Sequence, residues 1–134
     1  MTPWFVYQNI AAQGVMSVGL LTTHVLNTAT GRPAKGVNIE LYVPINNSRQ
    51  LICSRITNHD GRCDQPLLLA HEMHVGMYEL DFVLSDYFSD SDTYSAEPSF
   101  LSTITIRFGI SDTNENYHIP LLVSPYGYST YRGS

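Results

Sequence analysis

The chain has 134 residues, 43% of them hydrophobic and only 14% charged, with nine tyrosines and five phenylalanines. That composition suits one packed domain and excludes a disordered chain. Seven Lys and Arg against twelve Asp and Glu give a formal charge of -5, Lys35 is the sole lysine, and no basic cluster exists to follow a phosphate backbone, so nucleic acid is not an expected partner.

The first twenty residues, MTPWFVYQNIAAQGVMSVGL, carry no Lys or Arg and so lack the charged first region of a secretory signal. No apolar run is long enough to cross a bilayer as a helix. Cytoplasmic residence without membrane attachment is the expectation. Residues 1–15 read as a flexible extension or as the product of an upstream start, and the domain is expected over 16–134.

GLLTTHVLN is the first expected strand, and TATGRPAKG after it is a loop rich in turn formers. In VNIELYV, Val37, Ile39, Leu41 and Val43 alternate with Asn38, Glu40 and Tyr42, the period-two pattern of a strand with one face in a core. LICSRIT reads as a shorter strand ending in Asn58-His59-Asp60-Gly61, where glycine supplies the positive φ of a tight connection and Arg62 emerges directly after it. LAHEMHVG reads as a polar connecting loop.

MYELDFVL is a strand with Tyr78, Leu80, Phe82 and Leu84 on one face. SDYFSDSDTYSAEP holds the one expected short helix, capped by Ser85, before Pro98 closes the loop. STITIRFGI places Ile104, Ile106, Phe108 and Ile110 together, and YHIPLLVS places Tyr117, Ile119, Leu121 and Val123 together. Short strands separated by turn signals, with almost no helix, point to a single β-sandwich domain.

Imidazole titrates nearest neutral pH, so the five histidines are the first candidates for acid, base or ligand roles. His71 and His74 have an HxxH spacing, but a metalloprotease needs HExxH on a helix, so no metal is expected there. His59 reads as a turn residue. His24 and His118 differ, because each interrupts a strand that is otherwise apolar or small. His118 falls opposite the core-facing set of its strand, beside Pro120 and Leu122, on a face apolar enough to meet another subunit. Taken singly, each is a hydrogen-bonded histidine in a half-buried sheet.

Two strand histidines, an arginine leaving an Asp-Gly turn and the serine at position 134 form a set able to hydrolyse a polar heterocycle. A neutral histidine takes a proton from water, the Arg62 fork holds a planar anionic ligand, and a hydroxyl steadies developing charge. Spacing alone does not bring these residues together. Cys53 and Cys63 lie ten apart, which fits neither a CxxC pair nor a zinc knuckle. Two reduced thiols are the favoured reading, with a cross-strand bridge second.

Three separated motifs carry a resemblance. THVLNTATGRPAKGV, Thr23 to Val37, resembles the N-terminal signature of the 5-hydroxyisourate hydrolases, transthyretin-related enzymes of purine breakdown. TNHDGRCDQPLL resembles their middle motif, and RFGI followed by YHIPLLVSPYGYSTYRGS resembles their C-terminal signature. Asn27 stands where many members have Asp, and only an effect on the turn is expected.

The resemblance implies an all-β, transthyretin-like sandwich of two four-stranded sheets with one short helix. It implies a homotetramer, a dimer of dimers, with active sites in the channel between dimers. The implied reaction opens the ring of 5-hydroxyisourate, a small-molecule substrate, to 2-oxo-4-hydroxy-4-carboxy-5-ureidoimidazoline without metal or cofactor. Carried over by motif position, the catalytic residues are His24, Arg62, His118 and Ser134, with Tyr131 and Arg132 completing the substrate pocket. The ending RGS is not the SKL peroxisomal address. The rival readings are a transthyretin-like carrier that binds an aromatic ligand in its channel without turning it over, and a β-sandwich module for a protein partner.

Overall fold

A computed structural model describes residues 19–89 and 97–133. The expectations placed on residues 1–15 and on Ser134 lie outside the described residues. Eight strands run in the order β1 (Leu21–Asn27), β2 (Arg32–Pro33), β3 (Asn38–Ile45), β4 (Ser48–Ile56), β5 (Gly76–Val83), β6 (Thr103–Ile110), β7 (Tyr117–Ser124) and β8 (Gly127–Thr130). One sheet has the order β2-β1-β7-β8 and the other β4-β3-β5-β6. The all-β sandwich of two four-stranded sheets is therefore present.

Alternation decides which side chains fill the space between the sheets. Val37, Ile39 and Leu41 of the third-strand region, Leu80 and Phe82 of β5, and Leu121 of β7 are buried in one cluster. Removing this apolar surface from water is the main force closing the sandwich. Burial along β1 alternates strictly, with Leu21, Thr23, Val25 and Asn27 inside and Thr22, His24 and Leu26 half-buried on the opposite face.

Strands β1 and β7 pair in parallel, with Thr22 opposite His118, His24 opposite Pro120 and Leu26 opposite Leu122. Because paired residues point to the same side of a sheet, His24 and His118 share the outward face. This parallel pairing joins segments nearly a hundred residues apart, and it is the feature that builds the site.

Several connections carry more structure than their composition announces. Arg32 and Pro33, in the turn-rich loop, add a two-residue strand to β1. In LAHEMHVG the chain forms a 3-10 turn over Ala70–Glu72, closed where the Glu72 carboxylate accepts from the Leu69 N–H at 2.7 Å. The short helix α1 spans Ser85–Ser89. Its first turn closes on the Leu84 carbonyl, which accepts from Phe88 N–H at 3.0 Å. Ser85 is thus the first helical residue rather than the cap.

Asn27 does more than shape a turn. It is buried, its Oδ1 accepts from Ala29 N–H at 2.9 Å, and its Nδ2 donates to the Tyr87 hydroxyl at 2.9 Å. One side chain therefore ties the end of β1 to the loop that follows and to α1 across the sandwich. On the far sheet Asp81 is only 5% exposed although it faces away from the core. Its carboxylate accepts from Arg49 Nη1 at 3.1 and 3.2 Å and from Thr105 Oγ1 at 2.7 Å, so the buried charge is paired and hydrogen-bonded.

Candidate active site

Arg62 reaches the site because of the turn before it. Asn58 organises that turn: its Oδ1 accepts from Asp60 N–H at 2.9 Å and from Arg62 N–H at 3.2 Å. Gly61 takes φ +74, and any Cβ there would overlap the Val25 carbonyl oxygen. Glycine is required on both counts. The Gly61 carbonyl in turn accepts from Val25 N–H at 2.8 Å, and His24 and Arg62 form an isolated antiparallel bridge. The Asp-Gly-Arg segment is thereby laid against the strand that carries His24.

His118 is held from two sides. Its Nδ1 lies 2.8 Å from Thr22 Oγ1. Its backbone is bridged to Gly133, whose N–H donates to the His118 carbonyl at 2.7 Å. A Cβ on Gly133 would stand 2.8 Å from His118 Cδ2, closer than real side chains approach, so the imidazole occupies the space that this glycine leaves.

The electrostatics favour a neutral ring. Burial, then the Arg62 guanidinium, then His24 hold His118 below the usual histidine value of 6.5. Both neighbours act on His118, so His24, Arg62 and His118 form one electrostatic group at the outward face of β1 and β7. An uncharged imidazole at neutral pH has a free lone pair, which is what a general base needs.

Tyr131 and Arg132 stand elsewhere in the single chain. Arg132 Nη2 donates to Glu115 Oε1 at 2.7 Å and to the Asn116 carbonyl at 3.0 Å, and its guanidinium lies 4.3 Å from the Tyr117 ring centroid. Tyr131 is 61% exposed. With Ile106, Phe108, Ser111 and Tyr117, these two residues line a cavity of about 310 Å³. Tyr117 belongs to the core face, so the cavity lies on the other side of the sheet from the histidines.

Among the described residues, no three His, Cys, Asp or Glu side chains are grouped to hold a metal ion. Cys53 and Cys63 are both free thiols, each pushed up from its ordinary pKa first by burial. Cys53 Sγ donates to the Leu67 carbonyl at 3.4 Å.

Residues 21–133 match the model of the HIUase/transthyretin family. The chain belongs to this family. It is 51% identical over 117 residues to a 5-hydroxyisourate hydrolase of Ralstonia nicotianae, an alignment covering 87% of this chain and 100% of that relative. A second relative of that name, from Rhizobium meliloti, is 52% identical over 116 residues, covering 87% of this chain and 97% of the relative.

Among solved structures, Klebsiella pneumoniae 5-hydroxyisourate hydrolase superposes with a TM-score of 0.69 at 29% identity, covering 89% of this chain and 96% of that one. An (S)-allantoin synthase superposes with a TM-score of 0.82 at 38% identity, covering 98% of this chain and 50% of that one. The present chain thus spans half of that longer protein. Sea bream transthyretin in complex with thyroxine, at 20% identity and a TM-score of 0.73 over 84% of this chain and 93% of that one, shares the fold.

Within this HIUase/transthyretin-family fold the structure brings together three of the residues singled out from sequence, His24, Arg62 and His118. Thr22 and Gly133 were not singled out. The signal for Thr22 was available in part, because it sits two residues before His24 and so shares its face. The register that sets it against His118 is a long-range pairing with no trace in local pattern.

Proposed function

We infer that this chain is a 5-hydroxyisourate hydrolase, opening the ring of that substrate to 2-oxo-4-hydroxy-4-carboxy-5-ureidoimidazoline. The observation that carries the reading is the grouping of His118, held neutral, with His24 and Arg62 on one face, in a chain about half identical to relatives bearing that name.

The residue roles follow from chemistry. Neutral His118 takes a proton from water as the water oxygen adds to the ring carbonyl next to the bridging carbon. The tetrahedral intermediate then collapses, its C–N bond breaks, and the leaving nitrogen receives a proton, leaving a carboxylate on the opened ring. A guanidinium presents donors in a planar fork matched to an anionic heterocycle, so Arg62 holds the substrate and the charge that develops on it. His24, beside Arg62, is the second group able to relay a proton. Ser134 follows Gly133 in sequence, and its hydroxyl is assigned to the substrate pocket with Tyr131 and Arg132.

The outward face of β1 and β7 also carries the half-buried Leu26 and Leu122, which suits coverage by another copy of the chain. Assembly as a tetramer, with the pocket closed between dimers, is part of the proposal, and Tyr131 and Arg132 join the site through that assembly. The activity is tested by generating 5-hydroxyisourate from urate and following its ultraviolet decay. Acceleration over the spontaneous reaction supports the enzyme. Stoichiometric binding with no acceleration would make the chain a carrier instead.

A further inference from the structure

We propose that Thr22 is a positioning residue for His118, its hydroxyl accepting the Nδ1–H so that the ring is held in one tautomer with the Nε2 lone pair offered to the outward face. The inference rests on the reading of His118 as the general base.

Three observations carry it. Thr22 and His118 are directly opposite in the parallel register of β1 and β7, so the strand pairing itself fixes their approach. Thr22 Oγ1 and His118 Nδ1 are 2.8 Å apart, a full hydrogen bond. On its other side the ring lies close against Gly133, where an added Cβ would stand 2.8 Å from Cδ2.

A hydroxyl can donate or accept, and the two senses give opposite tautomers. If Thr22 donated to Nδ1, Nε2 would carry the proton and could not act as base. If Thr22 accepts from Nδ1–H, Nε2 is free. When Nε2 then takes a proton from water, the imidazolium keeps the same Nδ1–H···Oγ1 bond, and nothing at that end has to reorganise. A hydroxyl accepting from the ring serves both states of a base, whereas a donating one must rotate at the moment of reaction.

The adjacent threonine shows the contrast. Thr23 faces the core, and its hydroxyl donates to the Ile119 carbonyl at 2.7 Å, a purely structural bond to the same neighbouring strand. Thr22 directs its hydroxyl to an imidazole nitrogen instead. The pair therefore separates a packing role from a tautomer-fixing one on consecutive residues.

The test combines spectroscopy and kinetics on the full chain. With isotope-labelled protein, the side-chain carbon and nitrogen resonances of His118, assigned by their loss in His118→Asn, report which ring nitrogen carries the proton. The expected result is the Nδ1–H form in the wild type and a mixture enriched in the Nε2–H form in Thr22→Val. With it, kcat falls roughly 10-fold, the scale of one hydrogen bond, while KM stays within about twofold. Thr22→Ser restores both tautomer and kcat.

An Nε2–H wild-type ring overturns the proposal, as does a Thr22→Val enzyme unchanged in tautomer and rate. Should Thr22→Val fail to fold, the wild-type tautomer and the Thr22→Ser enzyme still decide. Full activity in His118→Asn would remove the base assignment itself, and the tautomer measurement would still judge the hydrogen bond.

Discussion

His24 and Arg62 face each other across an isolated antiparallel bridge, although one comes from the middle of a strand and the other from the exit of a tight turn 38 positions later in the sequence. The bridge lays the Arg62 backbone along the β1 strand that carries His24, and the guanidinium is near enough to lower the pKa of His118. The groups proposed to hold substrate and to move protons thereby meet at one sheet face.

The first prediction concerns the base. His118→Ala should fold, since the side chain lies on the outward face and not in the core. Its turnover should drop by on the order of 10²- to 10⁴-fold, the usual contribution of a positioned general base. Circular dichroism checks the fold and the ultraviolet assay the rate.

The pH dependence follows from the environment of His118. Burial first, and Arg62 second, hold its pKa below 6.5. The active form is neutral, so activity is full above that pKa and falls as pH drops through it. The acid limb of kcat/KM, which reports the free enzyme, should therefore lie below 6.5. The folded ring also resists protonation more than the unfolded one, so stability falls in the same direction, as pH drops below the unfolded value. Arg62→Gln removes one depressing charge and should move the acid limb upward, alongside its raised KM. An unshifted limb in that variant would mean that Arg62 does not act on the base.

Gly133→Ala tests how tightly the ring is held. The added methyl would meet His118 Cδ2 at 2.8 Å, so the imidazole must move by a few tenths of an ångström or more. Misplacement on this scale, up to an ångström, can cost up to about 10²-fold in rate. The melting temperature should change little, because Gly133 lies at the edge of the domain and outside the core. Differential scanning fluorimetry beside the rate assay separates the two effects.

The sequence carried the strands and their faces well. The alternation in VNIELYV, MYELDFVL and YHIPLLVS places the core residues where the structure has them, because period two is a local consequence of the pleat. His24, Arg62 and His118 stood out as candidates from their places in strands and after a turn, but only motif resemblance grouped them, since nothing local says that residue 24 pairs beside residue 118. Thr22 and Gly133 stayed hidden for that reason: one acts through register, the other through an absent side chain. Asn27 was read as shaping a turn, which it does, but its bond to Tyr87 depends on α1 packing back toward β1.

That bond yields a stability prediction. Asn27→Ala removes the acceptor for Ala29 N–H and the partner of the Tyr87 hydroxyl, both part-buried. The loss should be about 1–3 kcal/mol, seen as a lower denaturation midpoint, with kcat at the wild-type level below the unfolding range. A large loss of kcat in the folded variant would place Asn27 in the chemistry.

We propose that this chain hydrolyses 5-hydroxyisourate with His24, Arg62 and His118 acting together on the outward face of β1 and β7. The most direct measurement follows the ultraviolet decay of freshly generated 5-hydroxyisourate with the wild-type chain and, side by side, with His24→Asn and His118→Asn at matched concentration. Strong acceleration by the wild type and decay close to the spontaneous rate with either variant are expected. Wild-type protein that leaves the decay unchanged, or variants as fast as the wild type, would contradict it.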